Sequence, residues 1–170
     1  MALVRGLVTL GILLLAVVLQ VAVLGYLAVD GVVPDLALLV VVAAALARGP
    51  QFAAVLGFAG GLLLDVAPPA DHVAGRWALA FVVVGYLAGR VRQDARESTL
   101  AAVATVAACS FVGTSVYALT GLVLGDGALP ATEMLRVVAI SVLWDVLVTP
   151  LVLPLLLIGF RRLRPPQLVT

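Results

Sequence analysis

The chain has 170 residues, ten basic against nine acidic, a net charge of +1, and a composition that is 64% hydrophobic and only 11% charged. Soluble domains hold roughly 45–50% apolar and about 25% charged residues, so a water-facing shell cannot be assembled from what remains here. The sequence reads as a single polytopic membrane domain, and its few dispersed charges exclude a basic patch for nucleic acid.

Every basic residue is arginine, and neither lysine nor asparagine occurs. A GC-rich coding bias explains that more simply than selection for guanidinium chemistry. Cys109 is the one cysteine and lies in an apolar run, which excludes an internal disulfide and a cysteine-based metal cluster.

In chain order, the first apolar run covers 6–29 and is long enough to span, since a hydrocarbon core of about 30 Å takes about 20 helical residues. It ends in Asp30-Gly31 and more apolar sequence, with no small-residue cleavage site followed by polar chain, and is therefore a retained helix. The second and third runs, 36–47 and 52–66, are short and flank Arg48-Gly49-Pro50. A fourth covers 77–89, a fifth 100–124 and a sixth 134–160, the last containing Pro150 and Pro154. Proline kinks a membrane helix, and neighbouring groups re-satisfy the freed carbonyls. The expectation is an all-α bundle of six transmembrane helices.

Arginine placement orients it. With the N-terminus cytoplasmic, Arg5, Arg48, Arg90, Arg92, Arg96, Arg161, Arg162 and Arg164 fall inside, and only Arg76 and Arg136 fall outside. Asp30, Asp35, Asp71, Asp126 and Glu133 fall outside. Both termini are then cytoplasmic, in a multi-pass membrane protein. The short second and third runs admit two geometries. A re-entrant hairpin from the outer face leaves Arg48 near the bilayer centre, at about 2.5–3.5 kcal/mol or more. Two short spans let Arg48 snorkel to the inner headgroups and put Asp35 at the outer edge, which is the less costly arrangement.

A few residues stand out against this apolar background. Ala53, Gly57, Gly61 and Asp65 recur every fourth position, one face of a helix on which small residues admit close approach of another backbone. The glycines suit packing inside the bundle or docking of a partner helix. Asp65, just before Ala67-Pro68-Pro69, is an acid at the outer interface or a partner contact. Asp145 lies midway along the last helix, with Ser141 and Thr149 one turn away on the same stripe, and no arginine stands beside it. An interhelical hydrogen bond is the simplest role for it, with Gln20 as candidate partner. Cys109, Gly113, Tyr117 and Gly121 form a second small or polar stripe that suits packing, and Trp77 reads as an aromatic-belt anchor.

Enzyme templates fail. The single histidine, His72, falls in an outer loop, which leaves no intramembrane zinc or Ser–His site. Asp65 and Asp145 stand at different depths, and Leu62-Leu63-Leu64-Asp65 lacks the GxGD pattern of intramembrane aspartyl proteases. There is no Gly-rich phosphate loop. Neither catalysis nor a cofactor is expected.

Pro34-Asp35-Leu36, the turn at Gly49, then Gly57-Phe58-x-x-Gly61-Leu62-x-x-Asp65 and the downstream Gly75 resemble the MreD family of bacterial rod shape-determining proteins. The similarity spans most of the chain, is most specific over 34–75, and is supported by the proline-containing last helix. Asp145 departs from it, standing where such proteins often carry another polar residue. The resemblance implies a six-helix, non-enzymatic protein of the bacterial inner membrane, part of the cell elongation machinery, or elongasome. It implies partnership with MreC and, directly or through it, with the peptidoglycan polymerase RodA and its penicillin-binding transpeptidase. The family is also similar in fold to the substrate-binding membrane subunits of energy-coupling-factor vitamin transporters. Under the scaffold reading, Asp35, Gly57, Gly61, Asp65 and Asp145 are partner-helix docking or polar membrane positions. The rival is a small-molecule capture subunit with Asp65, Asp145, Tyr117 and Arg136 around an outward cavity, against which 6% aromatic content and short outer loops weigh.

Overall fold

The computed structural model describes residues 2–68, 73–125 and 130–163. They form helices α1 (Ala2–Ala22), α2 (Leu36–Arg48), α3 (Pro50–Val66), α4 (Arg76–Arg90), a single turn α5 (Asp94–Glu97), α6 (Thr99–Leu124) and α7 (Ala131–Arg162), with a 3-10 turn at Leu24–Leu27. Among the described residues there is no strand, only an isolated bridge between Val29 and Val32.

The first helix gives way after Ala22 to the 3-10 turn, and the bridge that follows keeps 29 out of it. Asp30 and Gly31 both have positive φ, 51° and 77°, and Val29 and Val32 exchange backbone hydrogen bonds of 3.0 and 2.9 Å around them. Asp-Gly is the sequence signal for such a two-residue turn, and apolar composition concealed it. The α2–α3 corner is tighter still. Gly49, at φ 99°, both ends α2 and begins α3, and Pro50 takes the first helical position, where a missing N–H costs nothing.

α2 is the axis of the bundle. Residues 37–47 of it are at most 4% exposed, packed by α1, α3, α4, α6 and α7. A helix apolar all round is a helix meant to be enclosed, and LALLVVVAAALAR has no polar face before its last residue. Its 13 residues rise only about 20 Å, less than the hydrocarbon thickness of about 30 Å. Among the described residues, three helices are long and apolar enough to cross a membrane on their own, over Val4–Ala22, Thr99–Leu124 and Thr132–Arg162.

The tightest helix pair is α3 with α4. An added Cβ at Gly57 would strike the Phe81 carbonyl, one at Gly61 the Ala78 backbone, one at Gly85 the Ala53 carbonyl and one at Gly89 the Pro50 backbone. These four glycines bring the two antiparallel backbones into contact along their whole length, the packing that small-xxx-small spacing permits.

The bundle has two distinct ends. At one, Arg48 Nη2 donates to the Leu163 carbonyl at 2.8 Å, its guanidinium lies 4.4 Å from the Phe52 ring centroid, and Arg92 closes over Gly49. Arg161 and Arg162 end α7 there. At the other, Arg136 pairs with Asp30 on the surface. The α2–α3 turn is thus level with the end of α7, a 32-residue helix that rises about 48 Å. The shortfall of α2 falls entirely at its N-terminal end.

Candidate functional site

A helix that starts inside a packed bundle exposes N–H groups that neither water nor its own turns can satisfy. The N-terminus of α2 is such a start, and three polar side chains from three helices converge on it. Asp35 Oδ1 accepts from the Leu38 N–H at 2.9 Å as N-cap. Gln20 Oε1, on α1, accepts from the Ala37 N–H at 3.0 Å, and the same amide reaches the Asp35 carboxyl. Asp145 Oδ1, on α7, accepts from the Asp35 N–H at 2.7 Å. The Leu39 N–H then donates to the Asp35 carbonyl at 3.1 Å and the helical ladder takes over. All three side chains are buried, Asp145 to 1% exposure.

Asp35 was expected at the outer membrane edge. It lies in the interior, because the chain after the Asp30–Arg136 pair turns inward before α2 begins. Asp145 follows Arg136 by about 13 Å along α7. Gln20 and Asp145, expected to bond each other, instead cap neighbouring N–H groups of one helix end. The Ser110 hydroxyl on α6 faces the Asp145 carboxyl, but Ser110 Oγ and Asp145 Oδ2 make no well-formed hydrogen bond. On the stripe expected around Asp145, Thr149 Oγ1 donates back to the Asp145 carbonyl at 2.5 Å, and Ser141 is buried with it.

Asp65 does for α4 what these groups do for α2. Its carboxylate accepts from the N–H groups of Gly75 at 2.8 Å, Trp77 at 3.0 Å and Ala78 at 3.2 Å. The residue is 2% exposed, so it is no interfacial acid solvated by headgroup water. Gly57, Gly61 and Asp65 therefore form one continuous surface, and the helix docked on it is the chain's own α4.

Sequence reasoning did not anticipate the cluster beside it. Arg76 is buried, its guanidinium 4.0 Å from the Tyr117 ring centroid, and Nη2 donates to the Tyr117 carbonyl at 2.9 Å. Trp77 stacks on the same Tyr117 ring, with centroids 4.2 Å apart, and meets Phe81 edge-on at 5.6 Å. It is a packing residue between helices and not a free belt anchor. The available signal was the i, i+4 pair Tyr117 and Gly121, since a Cβ at Gly121 would occupy the space of the Arg76 guanidinium. Gly113, on the same stripe, lies against Val84 and Leu38, so that face of α6 packs on α4 and α2.

The proposed outward cavity is not assembled. Asp65 caps α4, Asp145 caps α2, Tyr117 lies under Arg76 and Arg136 pairs with Asp30. Two carboxyls accepting backbone N–H groups in separate places do not form an aspartyl dyad. Among the described residues no three His, Cys, Asp or Glu side chains come together. His72, Asp71, Asp126 and Arg164 lie outside the described residues, as do the side chains of Arg96 and Glu97. What the polar groups do is join α1, α2 and α7 at one point and α3 and α4 at another.

Comparison with known proteins agrees with the pattern that runs from Pro34 to Gly75. A family model for the rod shape-determining protein MreD matches residues 2–160. No curated protein and no solved structure matches the chain, so the likeness to energy-coupling-factor subunits rests on the family resemblance alone. With nearly its whole length covered by that model, and with helices apolar enough to span a bilayer, this membrane protein belongs to the MreD family of rod shape-determining proteins.

Proposed function

We propose that the chain is a non-enzymatic scaffold of the cell elongation machinery in the bacterial cytoplasmic membrane, binding MreC and helping to position peptidoglycan synthesis by RodA and its penicillin-binding transpeptidase. It crosses the membrane six times with both termini inside. The observation that carries this is the family match over 2–160. The commitment of the polar side chains supports it, since those suited to chemistry or ligand capture are taken up by helix ends and by one another. The arginine-rich end formed by Arg48, Arg92, Arg161 and Arg162 supports the orientation.

The glycine face of α3 is filled by α4, which moves a partner helix to the lipid-facing surface. That surface is broad: Phe111, Leu135, Leu143, Leu147 and Leu151 on α6 and α7 are all exposed. Depletion in a rod-shaped host tests the proposal. Cells should round up or misplace wall synthesis, and the protein should co-purify with MreC from native membrane. Unchanged shape together with lost uptake of one vitamin would sink the scaffold and favour transport.

A further inference from the structure

The arginine-rich end of the bundle carries a cleft between α2, α5, α6 and α7. It has a volume of about 310 Å³, the lower end of the roughly 300–1,000 Å³ of small-molecule sites. Its floor is apolar, built from Leu46 near the end of the central α2, Val103 on α6, and Leu153 and Leu157 on α7. Pro150 and Pro154 form its long wall, both exposed toward lipid, so the cleft opens sideways into the bilayer. Its mouth is polar: Ser98 and Thr99 at the start of α6 and Arg161 at the end of α7.

We propose that this cleft holds one anionic phospholipid, with an acyl chain along the Leu46–Val103–Leu153–Leu157 floor and the phosphate against Arg161. Two features select that occupant over others. The cleft is amphiphilic along its own length, apolar from Thr149 and Pro150 outward and cationic only at the headgroup end, the profile of a lipid standing in its leaflet. Charge complementarity supplies the second. Arg161 makes no hydrogen bond or ion pair with any described residue, whereas Arg48 at the same end is held by Leu163 and Phe52. Asp94, on the α5 turn beside the cleft residue Ala95, is the nearby described acid and is exposed to solvent. Guanidinium recognises phosphate oxygens as a planar fork, and an ordered lipid chain in a cleft distinguishes such a site from the shell of annular lipid.

The test uses the full chain in detergent, supplied with equimolar phosphatidylglycerol and phosphatidylcholine of the same chain length, and counts retained lipid by native mass spectrometry. The expected result is one retained phosphatidylglycerol per chain, with at least a fivefold preference over phosphatidylcholine and no displacement by excess inorganic phosphate. Arg161→Gln, at an exposed position, should abolish the preference while leaving helical content unchanged, and Leu157→Trp should abolish retention by filling the floor. Equal retention of the two lipids overturns the proposal, as does undiminished phosphatidylglycerol on a folded Arg161→Gln protein. Displacement by inorganic phosphate overturns it too, since it would reveal an anion site without a lipid. If Leu157→Trp fails to fold, the Arg161→Gln comparison decides alone.

Discussion

A carboxyl at the centre of a membrane helix costs about 2.5–3.5 kcal/mol on insertion scales, and a backbone N–H without a partner costs several kcal/mol. Asp145 sets one of these liabilities against the other. Its Oδ1 takes the Asp35 N–H, which has no other acceptor at that depth. An uncharged acceptor of the same shape should serve nearly as well, so Asp145→Asn is expected to cost under about 1 kcal/mol. Asp145→Leu strands the N–H, for about 1–3 kcal/mol. Thermal unfolding in detergent reads the difference, at roughly 2–4 °C per kcal/mol for a chain of this size. Equal losses in the two variants would mean that charge, and not hydrogen bonding, is what Asp145 supplies. The anomaly of Asp145 was visible in the sequence as a lone acid among Leu143, Trp144, Val146 and Leu147. Its partner was not, because Asp35 is 110 positions away and nothing local couples them.

At the scale of the element, small residues every fourth position announced that α3 has a face for close approach. They did not announce which helix approaches. The matching glycines on α4, Gly85 and Gly89, also stand four apart, and the α3–α4 pair follows from placing the two motifs antiparallel. The obstacle was that a glycine face has the same spacing whether it meets its own chain or another. Helix ends were legible where proline or glycine stood at a corner, as at Gly49-Pro50, and illegible where apolar residues ran through a turn, as at 23–29. The enclosure of α2 was written in its lack of any polar face, yet its shortness drew attention to the membrane and away from the neighbouring helices. Gly61→Leu should therefore damage the fold itself. The added atoms meet the Ala78 backbone, which cannot swing aside as a side chain can, and overpacking of that kind costs about 1–3 kcal/mol or more. Gly11→Leu, on α1 with nothing within 4 Å of its added Cβ, should leave the melting temperature unchanged. Similar melting temperatures for the two variants would remove the α3–α4 contact as the source of the effect.

At the scale of the whole molecule, the six helices of more than one turn build a core around a segment too short to span alone. Depth is then set by the assembly and not by segment length. Under the proposed six-span topology the hairpin reaches the far face and does not stop in mid-membrane. The Arg48-Gly49-Pro50 corner touches Leu163, just past the end of the 32-residue α7, so the corner is level with the end of α7. The opposite end of α2 is buried inside the bundle, and there Gln20, Asp35 and Asp145 take the place of water. Cysteine labelling in intact and opened cells distinguishes the geometries. The native Cys109 is buried at 5% exposure and should stay silent in the folded protein. Gln51→Cys, at an exposed position next to the corner, should react with a membrane-impermeant maleimide only once the cytoplasmic face is open, as should Arg162→Cys. Asp30→Cys should react in intact cells. Protection of Gln51→Cys from both sides would place the corner inside the hydrocarbon, where Arg48 would bear the cost of a buried charge.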